Sequence, residues 1–333
     1  MGVFSCEDKN KALFLYYYLQ SPYAKKIIDS YLNGAVQKFL GLERLRNFPV
    51  PEYTDDKSKI ASVLFSLDDK IALNRRINAK LEQMAKRLYD HWFVQFDFPF
   101  DFAQGKPNAD GKPYKTSGGK MVWNEVLKRV VPSGWEVVSL KTVIKQINTG
   151  LNPRDNFVLG NGKVKYVTVK NLTESGMIDF SNCDLIDEEA QSIVHNRSDI
   201  KIGDILFASI CPLGRCYLIN EEPKDWDINE SVFSIRPDNR KISSEFLYTV
   251  LRDSYYVKKM TQKATGSIFK GIRINDIEKL EIVLPPKEII SAFNEKTLSI
   301  FNYQLSISKE IQKLTALRDR LLPLLMNGQV EVE

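Results

Sequence analysis

The sequence is poor in the side chains that carry most catalytic chemistry. Among 333 residues it has two histidines, His91 and His195, and four cysteines, Cys6, Cys183, Cys211 and Cys216. No two cysteines form a Cys-x-x-Cys pair, so no four-ligand zinc set arises at the usual spacing and free thiols are expected. A Gly-x-x-x-x-Gly-Lys-Ser/Thr phosphate loop is missing, which removes that route to ATP hydrolysis on this chain. The Asn/Asp-Pro-Pro-aromatic motif that builds an amino-methyltransferase pocket is missing too. No apolar run approaches the roughly 18 residues a membrane span needs, and the opening residues lack a basic stretch followed by an apolar one. No membrane association and a cytoplasmic location are therefore expected. A strong excess of one charge is also lacking: 47 Lys and Arg against 42 Asp and Glu leave +5, which tolerates a polyanionic partner without demanding one.

What is present is a composition of the soluble globular kind, 43% hydrophobic and 27% charged, in a chain long enough for two domains at roughly 150 residues each. The chain also repeats itself. FLYYYLQSPYAKK at residues 14–26 returns as FLYTVLRDSYYVKK at 246–259, pairing Phe14, Leu15, Tyr16 and Leu19 with Phe246, Leu247, Tyr248 and Leu251. The same offset of 232 pairs Asn33, Gly34, Ala35, Val36 and Lys38 with Thr265, Gly266, Ser267, Ile268 and Lys270. Each copy then meets prolines, Pro49 and Pro51 or Pro285 and Pro286, before a long segment of helical period. The order expected in each copy is helix, Gly loop, short strand, prolines, long helix.

In the first long helix, predicted over 58–92, Ile60, Leu64, Leu67, Ile71, Leu81, Ala85, Leu88 and Trp92 recur in steps of four and three, a heptad seam. Asn74 and Asn78 fall on the seam at its middle, where polar residues cost stability and fix register. In the second, predicted over 287–322, Leu298, Phe301 and Leu305 answer Leu64, Leu67 and Ile71, and Ser308 answers Asn74. Ile311, Leu314 and Leu321 continue after a one-residue slip, and Pro323 predicts a kink or stop. Two such stripes with polar centres favour mutual antiparallel pairing over two ordinary buried faces.

Residues 97–134 are rich in Gly, Pro, Asp, Asn and Lys without apolar period and read as a long connector. A 35-residue helix spans on the order of 50 Å, a distance such a linker can cover. Short apolar stretches at 135–140, 163–169, 205–210, 215–219 and 231–235 read as strands, and 244–260 as a helix. The class is thus α+β rather than a βαβ series, and a Rossmann-type nucleotide site is not expected.

Several runs together resemble one family. Pro132-Ser133-Gly134-Trp135-Glu136 opens a unit, Gly203-Asp204-Ile205-Leu206-Phe207-Ala208 lies at its middle, Thr265-Gly266-Ser267 near its end, and residues 280–286 precede a long helix. With SLDDKIALNRRINAKLEQMAKRLYDHWF within 60–93, this order resembles the DNA-specificity subunit of type I restriction-modification systems. The resemblance implies a mixed α/β target-recognition domain plus two long antiparallel helices forming a coiled-coil spacer. It divides the chain into 1–57, the end of a first recognition domain; 58–96, a central helix; 97–131, a connector; 132–286, a complete recognition domain; and 287–333, a C-terminal helix and tail. Only the final fifty or so residues of the first recognition domain are represented, the pattern expected of a truncated or recombining half-type subunit, with homodimerisation as one route to a complete reader.

The implied partners are double-stranded DNA, modification (methyltransferase) subunits that bring S-adenosylmethionine, and a restriction subunit that brings ATP. The chain itself is expected to be non-catalytic and to need no cofactor. Two readers held at a fixed separation impose two half-sites with a fixed spacer.

Candidate DNA contacts are the loop residues Thr265, Ser267 and Lys270, where Gly266 permits close backbone approach, and the neighbouring Arg273. Lys163, Lys165, Lys170 and Asn171 flank a predicted strand, and Arg215 follows the Cys211-Pro212-Leu213-Gly214 turn. Most surface cations are merely solvated, and because the Gly loop recurs, a structural or phosphate-contacting role weighs evenly against it. The helix interface is assigned to Leu64, Leu67, Ile71, Asn74, Asn78, Leu81, Leu298, Phe301, Leu305, Ile311 and Leu314. Tyr16, Tyr17, Tyr18, Tyr255 and Tyr256 are assigned to core rather than base stacking. Two rivals stand beside this reading. One is a metal-dependent nuclease using Asp204 and Glu222-Pro223-Lys224, which Pro223 disfavours by interrupting the strand such a site uses. The other is a coiled-coil scaffold without DNA binding.

Overall fold

The computed structural model describes residues 5–32, 39–108, 110–266 and 270–332. Candidate positions Asn33, Gly34, Ala35, Val36, Lys38, Ser267 and Ile268 lie outside them. In chain order the elements are α1 (Lys9–Gln20), α2 (Pro22–Tyr31), α3 (Leu42–Arg46) and α4 (Asp55–Tyr89), the last followed by a π-turn at Asp90–Val94. Then come β1 (Pro99–Asp101), β2 (Lys106–Pro107), β3 (Lys112–Pro113), β4 (Met121–Asn124), β5 (Arg129–Pro132), β6 (Glu136–Ser139), α5 (Leu140–Val143), β7 (Ile144–Thr149), β8 (Val164–Val167) and β9 (Asp184–Ile186). The remainder is α6 (Glu188–Ser198), β10 (Ile205–Ala208), β11 (Cys216–Leu218), β12 (Trp226–Ile228), β13 (Val232–Pro237), α7 (Ser244–Arg252), α8 (Ser254–Lys263), α9 (Ile274–Glu278), β14 (Glu281–Leu284) and α10 (Lys287–Met326). No helix among the described residues is long and apolar enough to cross a membrane.

Two compact units form, one from residues 1–80 with 303–333 and one from 81–302. The 232-residue offset carries α3 onto α9 and the first residue of α4 onto the first residue of α10. The helix expected in each copy is broken in two at a single residue. Ser21 ends α1 with its N–H on the Tyr18 carbonyl, and its hydroxyl accepts from the Ala24 N–H to start α2. Asp253 does the same between α7 and α8, with its N–H on Val250 and its carboxylate accepting from Tyr255. One short polar side chain thus serves as C-cap and N-cap at once, which forces a sharp turn. The short helix between Gly loop and prolines was not expected in either copy.

In the first unit the halves of α4 and α10 pair antiparallel. Leu64, Ile71, Asn74 and Asn78 are buried and Leu67 half-buried, as the seam requires. Opposite them lie Ile307, Ser308 and the half-buried Leu305, Ile311 and Leu314. The Asn78 Nδ2 donates to the Ser308 hydroxyl at 3.1 Å, and the Arg318 guanidinium donates to Asp68 at 2.8 Å. Asp68 also accepts from the Tyr17 hydroxyl at 2.8 Å, tying α1 to both long helices. Burial and the facing carboxylate push that phenol well above its ordinary range. Tyr17 and Tyr18 are core, whereas Tyr16 is exposed, contrary to its assignment, because it faces away from α4. The helix continues to Met326 with Pro323 inside its last turns, where a missing N–H costs a single ladder bond.

In the second unit Leu81 and Phe301 are half-buried, and an aromatic cluster of Tyr89, Trp92, Phe93, Phe246 and Phe293 joins α4, α7 and α10. Phe293 meets Phe93 edge-on at 5.0 Å. Leu298 is 56% exposed, against its assignment to the seam; Thr297 is fully buried in its place, its hydroxyl returned to the Phe293 carbonyl at 3.0 Å. The slip expected further along this helix therefore lies earlier. Residues 97–131, read as a connector, fold: β2-β1-β3 and β4-β5 form two small sheets, and Phe98 stacks between Tyr114 at 4.7 Å and Trp135 at 5.2 Å.

Between residues 144 and 237 lies a four-stranded sheet β11-β10-β13-β7, beside a three-stranded sheet β12-β8-β9. Ile205 and Phe207 of β10 point into the aromatic cluster, while Leu206 and Ala208 point into a second core with Val167, Leu172, Ile200 and Ile228. Helix α6 is pinned to β12 by Asp227, which accepts from the Ser198 hydroxyl at 2.6 Å and lies 3.0 Å from the His195 ring. All four cysteines are free, and burial pushes the Cys216 thiol up to about 12 and Cys183 to about 11.

Two outcomes follow for stability. Asn74 Nδ2 is buried without a partner among the described residues, so Asn74→Leu removes an unsatisfied donor and is expected to raise stability by about 1 kcal/mol in urea melts; destabilisation would show that the amide is satisfied in solution. Asp199 is held below the usual carboxylate range first by Lys201, then by Arg236 and Gln146. Its contribution is thus present above the ordinary Asp pKa and lost as pH falls through and below it. Asp199→Asn should be less stable than the parent at neutral pH, the gap closing on acidification below about pH 4; a gap independent of pH would refute this.

Candidate nucleic-acid interface

Because β10 is buried on both faces, its ends are fixed, and the chain leaving it is the natural base for an exposed loop. Residues 209–215 link β10 to β11, with the Ser209 hydroxyl donating to the Ser231 carbonyl at 2.7 Å. The segment after α8 is stitched onto this base by backbone hydrogen bonds, with Ile272 buried in the core beside it. Thr265 and Gly271 exchange N–H and carbonyl at 2.9 Å in both directions, Cys211 N–H donates to the Lys270 carbonyl at 2.8 Å, and Ile272 N–H donates to the Ser209 carbonyl at 2.8 Å. A Cβ at Gly271 would lie 3.0 Å from the Ser209 carbonyl oxygen, and Gly266 holds φ +125°, so both glycines answer a backbone requirement.

The result presents Thr265, Lys270 and Arg273 exposed on one short, tied segment. Thr265 offers its hydroxyl, Lys270 its ammonium, and Arg273, at the N-cap of α9, its guanidinium. No ion pair involving Lys270 or Arg273 occurs among the described residues, so both cations stand in water ready to meet an anion. Ser267 lies outside the described residues.

The other candidates are placed differently. Lys163 is exposed at the start of β8. Lys165 is half-buried with its ammonium 5.3 Å from the Phe180 ring centre, and Lys170 pairs with Asp184 at 3.2 Å. Asn171 is 1% exposed: its Oδ1 accepts from the Thr168 N–H and hydroxyl at 2.9 Å and its Nδ2 donates to the Asp179 carbonyl at 3.2 Å. It closes a capping box, and assigning it to DNA is corrected on that ground. Arg215 shares the base with Ser209 and Cys211 but turns its guanidinium to Glu174, 3.4 Å away, with Nε buried.

Two groups went unnoticed in the sequence. Arg252 donates to the Tyr248 hydroxyl at 2.7 Å, to the Glu174 carbonyl at 2.6 Å and to Glu82, gathering α4, α7 and the turn at 173–176. Arg236 donates from Nε and Nη2 to the two oxygens of Asp204, each at 2.8 Å. Asp204 also accepts from Ser234 and the Lys201 N–H. Both oxygens of this carboxylate are engaged and a guanidinium already neutralises it, and among the described residues no three His, Cys, Asp or Glu side chains gather as a metal site. Little in the sequence announces Arg252 or Arg236, because apart from Tyr248, one helical turn before Arg252, their partners lie thirty or more residues away.

Comparison with known proteins gives the arrangement its context. The family described as the type I restriction modification DNA specificity domain matches residues 1–83 and 132–316. The chain is 26% identical over 327 residues to the type I restriction enzyme MjaIX specificity subunit of Methanocaldococcus jannaschii, covering 96% of this chain and 69% of that one. It is 29% identical over 318 residues to the type I restriction enzyme HindI specificity subunit of Haemophilus influenzae, covering 83% and 67%. In fold it is similar to the type I restriction-modification S subunit from M. genitalium, with a TM-score of 0.50 and 16% identity over 94% of this chain and 72% of that one. Since the family match takes in well over half of the residues, in the order the repeat predicts, the chain belongs to the DNA-specificity subunits of type I restriction-modification systems.

Proposed function

We propose that residues 132–286 read one half of a bipartite double-stranded DNA site, and that the tied segment 265–273 meets the phosphate backbone while the neighbouring loops enter the groove. The observation that carries this reading is the union of two free cations and a threonine hydroxyl on a segment closed by two backbone hydrogen bonds of its own and held by two more to the end of a doubly buried strand. A cation on a fixed platform loses little entropy on meeting a phosphate, and its position sets the register of whatever side chains read bases beside it. Lys163 and Lys170 supply further sequence-blind attraction.

In this reading the paired long helices hold recognition modules at a set spacing, and their outer faces dock modification subunits, which carry the methylation chemistry, with a restriction subunit joining the full assembly. The chain contributes address rather than reaction. Residue types support the division: the described carboxylates that are buried, such as Asp204 and Asp227, are consumed by internal partners.

The test is anisotropy titration of the chain with its modification subunit against randomised and selected duplexes at several salt concentrations. Selection of a defined half-site is expected. Lys270→Ala and Arg273→Ala should each weaken binding across all sequences and lower the salt slope by about one. Asn171→Ala, by contrast, should lower stability by about 1 kcal/mol, as loss of a cap does, with the salt slope unchanged. Unaltered slopes for both cation variants would remove the segment from the interface, and absence of any sequence selection would favour a scaffold.

A further inference from the structure

Segment 265–273 shares its end of the sheets with other stretches of chain. Strands β7 and β10 both run antiparallel to β13, with Thr149 and Phe207 each opposite Phe233, so the two are parallel and their C-terminal ends emerge together. Strand β12 ends there too: Gly150 N–H donates to the Asn229 carbonyl at 3.2 Å, and Asn229 N–H to the Val167 carbonyl of β8 at 2.9 Å. Four stretches therefore gather at this end, 150–157 after β7, 168–178 after β8, 209–215 after β10 and 229–231 before β13.

Three of them have little to offer a base. In 168–178 the Thr173 hydroxyl donates to the Met177 carbonyl at 3.0 Å, Asn171 is buried in its capping box and Lys170 faces Asp184. In 209–215 Arg215 is turned to Glu174. In 229–231 the Asn229 side-chain oxygen accepts from the Ser231 N–H at 3.1 Å and hydroxyl at 2.8 Å, which leaves the exposed carboxylate of Glu230.

The stretch 150–157 differs. Arg154 and Asp155 are exposed at its tip, and neither forms an ion pair among the described residues. The turn beneath them is closed: the Pro153 carbonyl accepts from the Asn156 N–H at 2.6 Å and the Phe157 N–H at 3.2 Å, and the Asn156 amide donates to the Asn152 carbonyl at 2.9 Å. Both feet are anchored. The Leu151 carbonyl accepts from the Tyr166 hydroxyl, Phe157 meets the Tyr166 ring edge-on at 5.4 Å, and a Cβ at Gly150 would run into the Ile228 carbonyl. Within this frame Arg154 has φ +23°, a region that residues other than glycine avoid. Backbone held there by its surroundings is concentrated at sites that aim a side chain at a ligand.

The adjacent carboxylate decides what the guanidinium meets. Beside a phosphate, Asp155 would face a like charge and offset the attraction of Arg154. In the major groove the same pair is complementary to base edges: a guanidinium donates twice to guanine O6 and N7, and a carboxylate accepts from the cytosine amino group.

We infer that Arg154 is a specificity-determining residue that reads a guanine of the half-site in the major groove, with Asp155 taking the amino group of a nearby cytosine. This rests on residues 132–286 being the half-site reader, and adds to that reading the loop and the base. Segment 265–273 then holds phosphate while the loop of Arg154 reads sequence.

The test is selection from randomised duplex by the full chain with its modification subunit, followed by anisotropy titration of the selected site and its single-base variants. Replacing one selected guanine should weaken the parent about tenfold and leave Arg154→Ala unmoved, with other base preferences and the salt slope kept. Arg154→Lys, which keeps the charge and loses the planar fork, should fall between the two. Asp155→Ala should loosen the choice of a cytosine. Arg154→Gly, which suits the backbone without a side chain, should keep the parent's urea midpoint and show the same loss, separating reading from folding. A selected half-site whose every base preference survives in Arg154→Ala overturns this inference and leaves the half-site reading standing. Preferences kept with a salt slope lowered by about one would make Arg154 a phosphate contact and overturn it as well. No base selection by the parent complex overturns both readings.

Discussion

The constraint on which the rest depends is the antiparallel pairing of α4 with α10. Neither helix has an apolar stripe wide enough to be buried by itself, and each is solvated on its outer face, so each half of the pair is stable only in register with the other. Apolar contacts alone would tolerate a slip of one heptad. The polar contacts do not: Asn78 reaches Ser308, and Asp68 reaches Arg318, in one register only. A slip would break the Asp68–Arg318 pair in a half-buried seam and leave each group with only its local partner, Tyr17 for the carboxylate and Asp319 for the guanidinium. Tyr17 extends the same lock to α1 through Asp68, so the small helical region and the helix pair of the first unit form together.

The repeat is a second constraint, expressed less in side-chain identity than in backbone grammar. A single capping residue ends one helix and starts the next in both copies, as Ser21 in one and Asp253 in the other. The short helices α3 and α9 and the starts of the long helices keep the same spacing across 232 residues. What differs is chemistry on the surface: Glu278 against Arg46, Ile282 against Val50 with flanking prolines. A scaffold that preserves hydrogen-bonding positions while varying the side chains that face outward keeps one folding solution and changes its partners.

Much of this was legible in the sequence, and the failures have physical causes. The seam residues of α4, the strands around 164–167, 205–208, 216–218 and 232–237, and the offset of the repeat were all visible, because periodicity and self-similarity are local signals. Leu298 was misplaced because a heptad count cannot say where a slip occurs; that is settled by Thr297, whose hydroxyl satisfies itself within the helix and so can be buried. The fold of 97–131 was missed because its Gly, Pro, Asp and Lys content reads as a connector, while its Phe98 stacks on Trp135 from outside the segment. Helix α6 escaped notice because Ala190 and Val194 are nearly its only buried apolar residues. At the candidate site, Gly266 and the exposed Lys270 were found from their residue types. Asn171 was mistaken for a contact because an asparagine beside lysines looks the same in sequence whether it reads a base or closes a turn.

In the proposed reading, the position of the tied segment lets its side chains change while its base stays as it is. Strand β10 alternates its side chains between two separate cores, so four consecutive residues are buried and cannot change without cost to both. The chain that leaves it, and the segment stitched to it, are joined through main-chain groups that every residue except proline possesses. Side chains at 265, 270 and 273 therefore carry almost none of the packing, and substitution there alters what the surface meets without altering how the surface is held. Arg215 marks the boundary of that freedom: it lies on the same base, but its guanidinium is committed toward Glu174, whose own carbonyl is held by Arg252. Changing Arg215 would be felt in the fold first, so under the proposed function the exposed cations at 270 and 273, and not the better-buried arginine beside them, are the groups through which affinity would vary independently of stability.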